Sequence, residues 1–130
     1  ESSSIGSCQI PGAIYKALTQ AEGTELVVPL EQRVRWIRQQ YSYFEGECIE
    51  DLRAKIRQLK RSRSLPGDRW LQLVEEGDFG QFVSEVLVQY YDPLYRYTRD
   101  KRTGPLQLME IDGSEESYQT AAEVLVDRYR

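Results

Sequence analysis

Between Glu31 and Tyr90, apolar residues recur at steps of three and four, and glycine or proline interrupts the recurrence at intervals. That spacing lines one face of an α-helix, so the middle of the chain must form a series of short amphipathic helices. Val34, Ile37, Tyr41 and Phe44 make a first stripe ending at Gly46, and Ile49, Leu52, Ile56 and Leu59 make a second. The two predict a helical hairpin around Glu45-Gly46-Glu47, with stripes packed on each other or on a strand. After the turn-rich stretch 62–67, Asp68 is expected to cap a helix carrying Trp70, Leu71, Leu73 and Val74, which Gly77 ends. Asp78 should cap the next, with Phe79, Phe82, Val83, Val86, Leu87 and Tyr90 on its inner face, and Pro93 should stop it.

Outside this block the pattern is weaker. Pro11 and Gly12 open a short helix through Ile14, Ala17, Leu18 and Ala21 that Gly23 closes. Residues 24–28 are a β-branched run closed by Pro29, too brief for a helix and suited to a buried strand. Such a strand needs neighbours, and the best other run is 106–111, ended by Asp112-Gly113, so the sheet is expected to want strands from elsewhere. A last helix from Glu115 to about Tyr129 carries Tyr118, Ala121, Ala122 and Leu125. The fold class expected is mainly α with two short strands, in one segment: strand and flanking helices over 1–46, a helical and tyrosine-rich part over 47–97, and a final strand and helix over 98–130.

The 130 residues suit one domain with a real core, and 40% hydrophobic with 29% charged residues is the balance of a globular protein. Histidine is absent, which removes the commonest general base and metal ligand and makes Ser-His and Cys-His pairs impossible within the sequence. Cys8 and Cys48 lack the number and spacing of a disulfide framework or zinc site, and both are expected to be reduced. No apolar run reaches the ~18 residues of a membrane span, and the opening residues lack the basic and apolar parts of a signal peptide. A cytoplasmic location without membrane contact is the expectation. The polar start without an initiator methionine reads as a piece of a longer protein.

Two constellations bear on function. The formal net charge is −4, yet Arg53, Lys55, Arg57, Lys60, Arg61, Arg63 and Arg69 face a single acid, Asp68, within 53–69. Those on the periodic run read as the solvated face of a helix, which accounts less well for Arg61 and Arg63 beyond it. The run Gln89-Tyr90-Tyr91-Asp92-Pro93-Leu94-Tyr95-Arg96-Tyr97 sets four tyrosines around a helix terminus. Such rings either pack with the hydroxyl left wet or stack the bases of single-stranded RNA, so Tyr90, Tyr91, Asp92 and Tyr95 are possible base-stacking or motif residues.

The order of these motifs resembles the C-terminal region of bacterial tRNA 2-selenouridine synthases. The matching pieces are Glu1-Ser2 with Ile5-Gly6 and Ile10-Pro11, then Val28-Pro29-Leu30-Glu31-Gln32-Arg33-Val34, the basic turn before Leu65-Pro66-Gly67, and Tyr90-Tyr91-Asp92-Pro93-Leu94-Tyr95. The family joins a rhodanese-like domain to a P-loop, kinase-like domain. The resemblance implies the C-terminal portion of that α/β domain, a helical lid with closing helices. It also implies a parent transferase that replaces sulfur by selenium in wobble 2-thiouridine through a geranylated intermediate, with selenophosphate and geranyl diphosphate as co-substrates. Arg33, in the Glu-Gln-Arg-Val element, becomes a phosphate or RNA contact on this reading and an ion-pair residue otherwise, and the lid it implies makes Lys60, Arg61, Arg63 and Arg69 the candidate donors to an anionic phosphate. The implied partners are tRNA and the N-terminal rhodanese and P-loop portion. Neither the catalytic cysteine of that portion nor a G-x-x-x-x-G-K-[ST] loop occurs here, so this chain is expected to hold no catalytic residue, no cofactor and no metal. A freestanding helical module that docks a protein, and a nucleotide- or prenyl-diphosphate-binding lid, are the competing readings.

Overall fold

The computed structural model describes residues 2–5, 8–62 and 64–130, with backbone alone at 2–5 and 62. The protein is mainly helical with short strands, and it separates into two compact units, one formed by 28–94 and the other by 1–27 together with 95–130.

The first unit is built from helices. Helix α2 (Leu30–Gln40) ends earlier than the stripe suggests, and Ser42–Glu45 continue as one 3₁₀ turn, because the chain must bend before Gly46. Helices α3 (Ile49–Ser62), α4 (Gly67–Glu75) and α5 (Phe79–Val86) follow. Ile56, Trp70, Leu73, Val74 and Phe82 form the buried core, with Trp70 edge-on to Phe82 at 6.3 Å between ring centres. The stripes of α2 and α3 are not each other's main partners: α3 packs chiefly on α4 and α2 on α5. The short 3₁₀ link lets each helix find a separate apolar face. Asp78 caps α5 as expected, accepting from the Gln81 N–H at 3.1 Å, and Gly77 takes the left-handed φ of 74° that ends α4.

Two expectations in this unit are corrected. Asp68 is not a cap; α4 begins after Pro66, and the Asp68 carboxylate meets the Lys60 ammonium at 2.6 Å. Pro93 does not stop the helix. Residues Leu87–Tyr91 form a π turn in which the Asp92 N–H reaches the Leu87 carbonyl, and helix α6 runs on through Asp92–Asp100. A proline inside a regular α-helix clashes with the carbonyl four residues back, and the wider π turn just before Pro93 gives the ring room.

In the other unit β1 (Ser2–Ile5) and β2 (Cys8–Pro11) form an antiparallel pair that the sequence did not announce, since 2–5 carry no alternation. Helix α1 (Gly12–Gln20) leaves Ile14 and Leu18 exposed, so its apolar stripe is not an inner face among the described residues. Strand β3 (Gly23–Val27) pairs in parallel with β4 (Leu106–Glu110), Thr24 opposite Gln107 and Leu26 opposite Met109. The pairing continues by one bond, from the Ile111 N–H to the Val27 carbonyl at 3.0 Å. Helix α7 (Glu115–Tyr129) closes the chain.

Side chains alternate across a strand, so Glu25 and its neighbours Thr24 and Gln107 lie on opposite faces of the pair. Arg99, near the end of α6, donates to Glu25 at 3.3 Å, while Arg128 of α7 bonds Gln107 and Tyr129 contacts Thr24 at 3.4 Å. A helix therefore flanks each face, the arrangement parallel strands require. Gly104 is fixed by a close approach: a Cβ there would lie 2.2 Å from the Gln20 carbonyl oxygen, and the Gly104 N–H bonds Thr19 O at 3.0 Å.

Candidate functional site

The basic run is only partly available for a ligand. Lys60, in the last turn of α3, lies against the start of α4, where a Cβ on the buried Gly67 would come within 2.6 Å of Lys60 Cβ. Its ammonium is held by both Asp68 oxygens, at 2.6 and 2.7 Å. Arg69 sits 3.5 Å from Glu85, and Arg53 is paired with Glu50. Arg61 is exposed and has no ion-pair partner among the described residues, and the same holds for Arg57, one helical turn before it. Residues four apart share a helix face, so Arg57 and Arg61 form a short cationic ridge on α3. The four-residue spacing that places Arg57 beside Arg61 is legible in the sequence. Arg63 lies outside the described residues.

Arg33 forms a fork. Its two terminal nitrogens donate to the two Asp92 oxygens at 3.1 and 2.6 Å, and both partners are partly buried. Planar guanidinium and carboxylate fit in this bidentate way, which fixes direction as well as distance. The pair links the first turn of α2 to the first residue of α6, joining two motifs far apart in sequence. Arg33 is thus committed to a carboxylate and Asp92 is not a bare acid.

The tyrosines divide. Tyr90 packs against the core of the helical unit with its ring 5.1 Å from that of Tyr91. Tyr91 is 47% exposed and Tyr95 72%. A second aromatic group, Tyr41, Tyr43 and Phe44, gathers at the 3₁₀ turn with Tyr43 and Phe44 4.6 Å apart, and Arg38 is bound to Glu45 beside it at 2.7 Å.

Beyond these, the carboxyl end of β4 and the first turns of α7 border an open groove lined by Met109, Ile111, Ser117 and Ala121. A helix start there would suit an anion, but the turn carries Glu115 and Glu116, and the Ser114 N–H is already given to Asp112 at 2.7 Å. Hydrogen bonds from Ser114, side chain first and then backbone, and from Ser117 hold the Asp112 carboxyl below its ordinary pKa. The groove does not fit a diphosphate. Among the described residues no group of acids or cysteines is placed to hold a metal, and no helix is long and apolar enough to cross a membrane. Cys8 and Cys48 are free thiols.

Comparisons with protein-family models, with curated proteins and with solved structures found no match to this chain.

Proposed function

We propose that this chain is the strand-and-lid portion of a tRNA-modifying enzyme similar to the tRNA 2-selenouridine synthases, supplying RNA contacts and no catalytic group. The observation that carries the reading is topological: a complete helical unit is inserted in the crossover between two neighbouring parallel strands, β3 and β4. Parallel strands joined through helices are the signature of an α/β layer, and two strands fall short of the usual sheet. Leu108, 62% exposed on β4, and the outward Ile14 and Leu18 of α1 are the surfaces that further strands and helices of a parent domain would cover. The Arg33–Asp92 fork also ties together the two motifs on which the resemblance rests.

On this reading selenophosphate and geranyl diphosphate bind elsewhere, since no residue set among the described residues fits a diphosphate. The free ridge Arg57–Arg61 meets tRNA phosphates. Gel-shift titration of the chain with a tRNA carrying 2-thiouridine at the wobble position, in salt of roughly 50 and then 200 mM, tests this. Binding should weaken as salt rises, and the double variant Arg57→Ala/Arg61→Ala should reduce the salt slope by about two, one for each phosphate contact. Absence of binding at the lower salt would sink the proposal.

A further inference from the structure

The tyrosine motif does not end at Tyr95. The stretch 95–102 reads Tyr-Arg-Tyr-Thr-Arg-Asp-Lys-Arg, four cations against one acid in a chain of net charge −4. It forms the last turns of α6 and the residue pair beyond it. Tyr95 and Tyr97 are 72% and 67% exposed, rings that contribute little to the fold where they stand.

The four cations have different employment. Arg99 reaches Glu25 at 3.3 Å and Asp100 at 3.5 Å, and Arg102 donates to the Ala21 carbonyl at 2.7 Å. These contacts fasten the end of α6 to β3 and to the end of α1, and they neutralise the only acid of the stretch. Arg96 is exposed, and the Lys101 ammonium lies 4.2 Å from the centre of the Tyr97 ring. What faces solvent is therefore two aromatic rings and two cations on a fastened helix end.

We propose that this surface binds single-stranded RNA, Tyr95 and Tyr97 each stacking on a base and Arg96 and Lys101 meeting the adjoining phosphates. The inference rests on the RNA reading given above and assigns it a second contact, distinct from the α3 ridge. Residues two apart on a helix point to nearly opposite sides, so the rings cannot clamp one base. They hold two separate bases of a strand that crosses the helix end. Only unpaired bases offer faces for such stacking, which excludes a duplex as the preferred ligand, and the surplus of cations selects a polyanion.

The test uses the full chain, a fluorescent unstructured 12-nucleotide RNA and a hairpin of the same composition, read by anisotropy. The wild type should prefer the single strand, Tyr95→Ala/Tyr97→Ala should weaken it tenfold or more, and Arg96→Ala/Lys101→Ala should lower the salt slope by about 1.4 with the preference kept. Circular dichroism on each variant checks that the helices remain. A strand carrying 4-thiouridine, cross-linked by light, should mark peptides within 95–102. Unchanged binding by the tyrosine variant, or cross-links confined to α3, overturns this surface while the tRNA reading stands, and leaves the rings for a protein partner. If neither the strand nor tRNA binds, both readings fall.

Discussion

The helical unit and the strand-bearing unit are built to different standards. Among the described residues, the first buries Ile56, Trp70, Leu73, Val74, Phe82 and Leu87, whereas the second buries only Ile111 and Ala121 and leaves Leu108, Val124 and Val126 largely exposed. Both have comparable regular structure, so the difference lies in packing and not in local propensity. A unit whose helices are satisfied by one another can be stable alone, while a parallel pair with exposed apolar residues is stable in proportion to what covers it. This contrast teaches that secondary structure and self-sufficiency are separate properties of a sequence.

The largest lesion should come from the better core. Trp70→Ala should cost about 3–5 kcal/mol by urea denaturation, as large aromatic truncations in closed cores do, whereas Leu108→Ala should fall within about 0.5 kcal/mol of wild type. Equal losses at the two sites would erase the distinction between the units. Trp70 adds a detail: its indole N–H has no hydrogen-bond partner among the described residues, so Trp70→Phe should cost less than the lost volume suggests.

Next comes Gly104→Ala. The added methyl meets two backbone carbonyl oxygens and cannot be accommodated by a side-chain rotation, so a loss of about 1–3 kcal/mol is expected. Hydrogen exchange should show the loss in β3 and β4, with the amides of α4 and α5 unaffected. Spread of the effect through α4 would mean that the two units unfold together.

A smaller effect lies at the fork. A double-mutant cycle on Arg33→Ala and Asp92→Ala should return a coupling of about 1–2 kcal/mol, more than a surface pair and less than a fully buried one, because both partners are partly exposed. A coupling near zero would make the link between the two motifs ornamental. The smallest effect is at the α7 start. Because the folded pKa of Asp112 is depressed, its contribution is present above the ordinary carboxylate pKa and fades as pH falls through the folded value. Asp112→Asn should therefore lower Tm slightly at pH 7 and make no difference once the carboxyl is protonated in the folded as well as the unfolded state. An equal loss at pH 7 and at strongly acid pH would assign the role to shape instead of charge.

Much of the helical architecture was legible because it depends on local rules. The steps of Ile49, Leu52, Ile56 and Leu59 settle one helix, Asp78 and Gly77 settle where one helix starts and another ends, and the run at 106–111 settles a strand. The failures share a cause. Pro93 looks like a stop because a proline breaks a regular helix, but a π turn upstream supplies the slack, and nothing within a few residues signals that the neighbouring packing will favour it. Asp68 has the chemistry of a cap, yet Lys60, eight residues earlier, draws its carboxylate away. The site was legible as composition and not as arrangement: cations and tyrosines could be counted, but which of them the fold consumes could not.

The sequence by itself determined the helical periods, the absence of histidine chemistry and the placement of charge, since these depend on neighbours along the chain and on residue type. Tertiary structure decided that β3 and β4 pair in parallel, that Arg33 is given to Asp92, and that Arg57, Arg61 and Arg96 have no ion-pair partner among the described residues. Those outcomes depend on contacts between residues far apart in the chain, and a hydrogen bond or ion pair of that kind forms only where packing brings both partners within about 3 Å in a direction each can use.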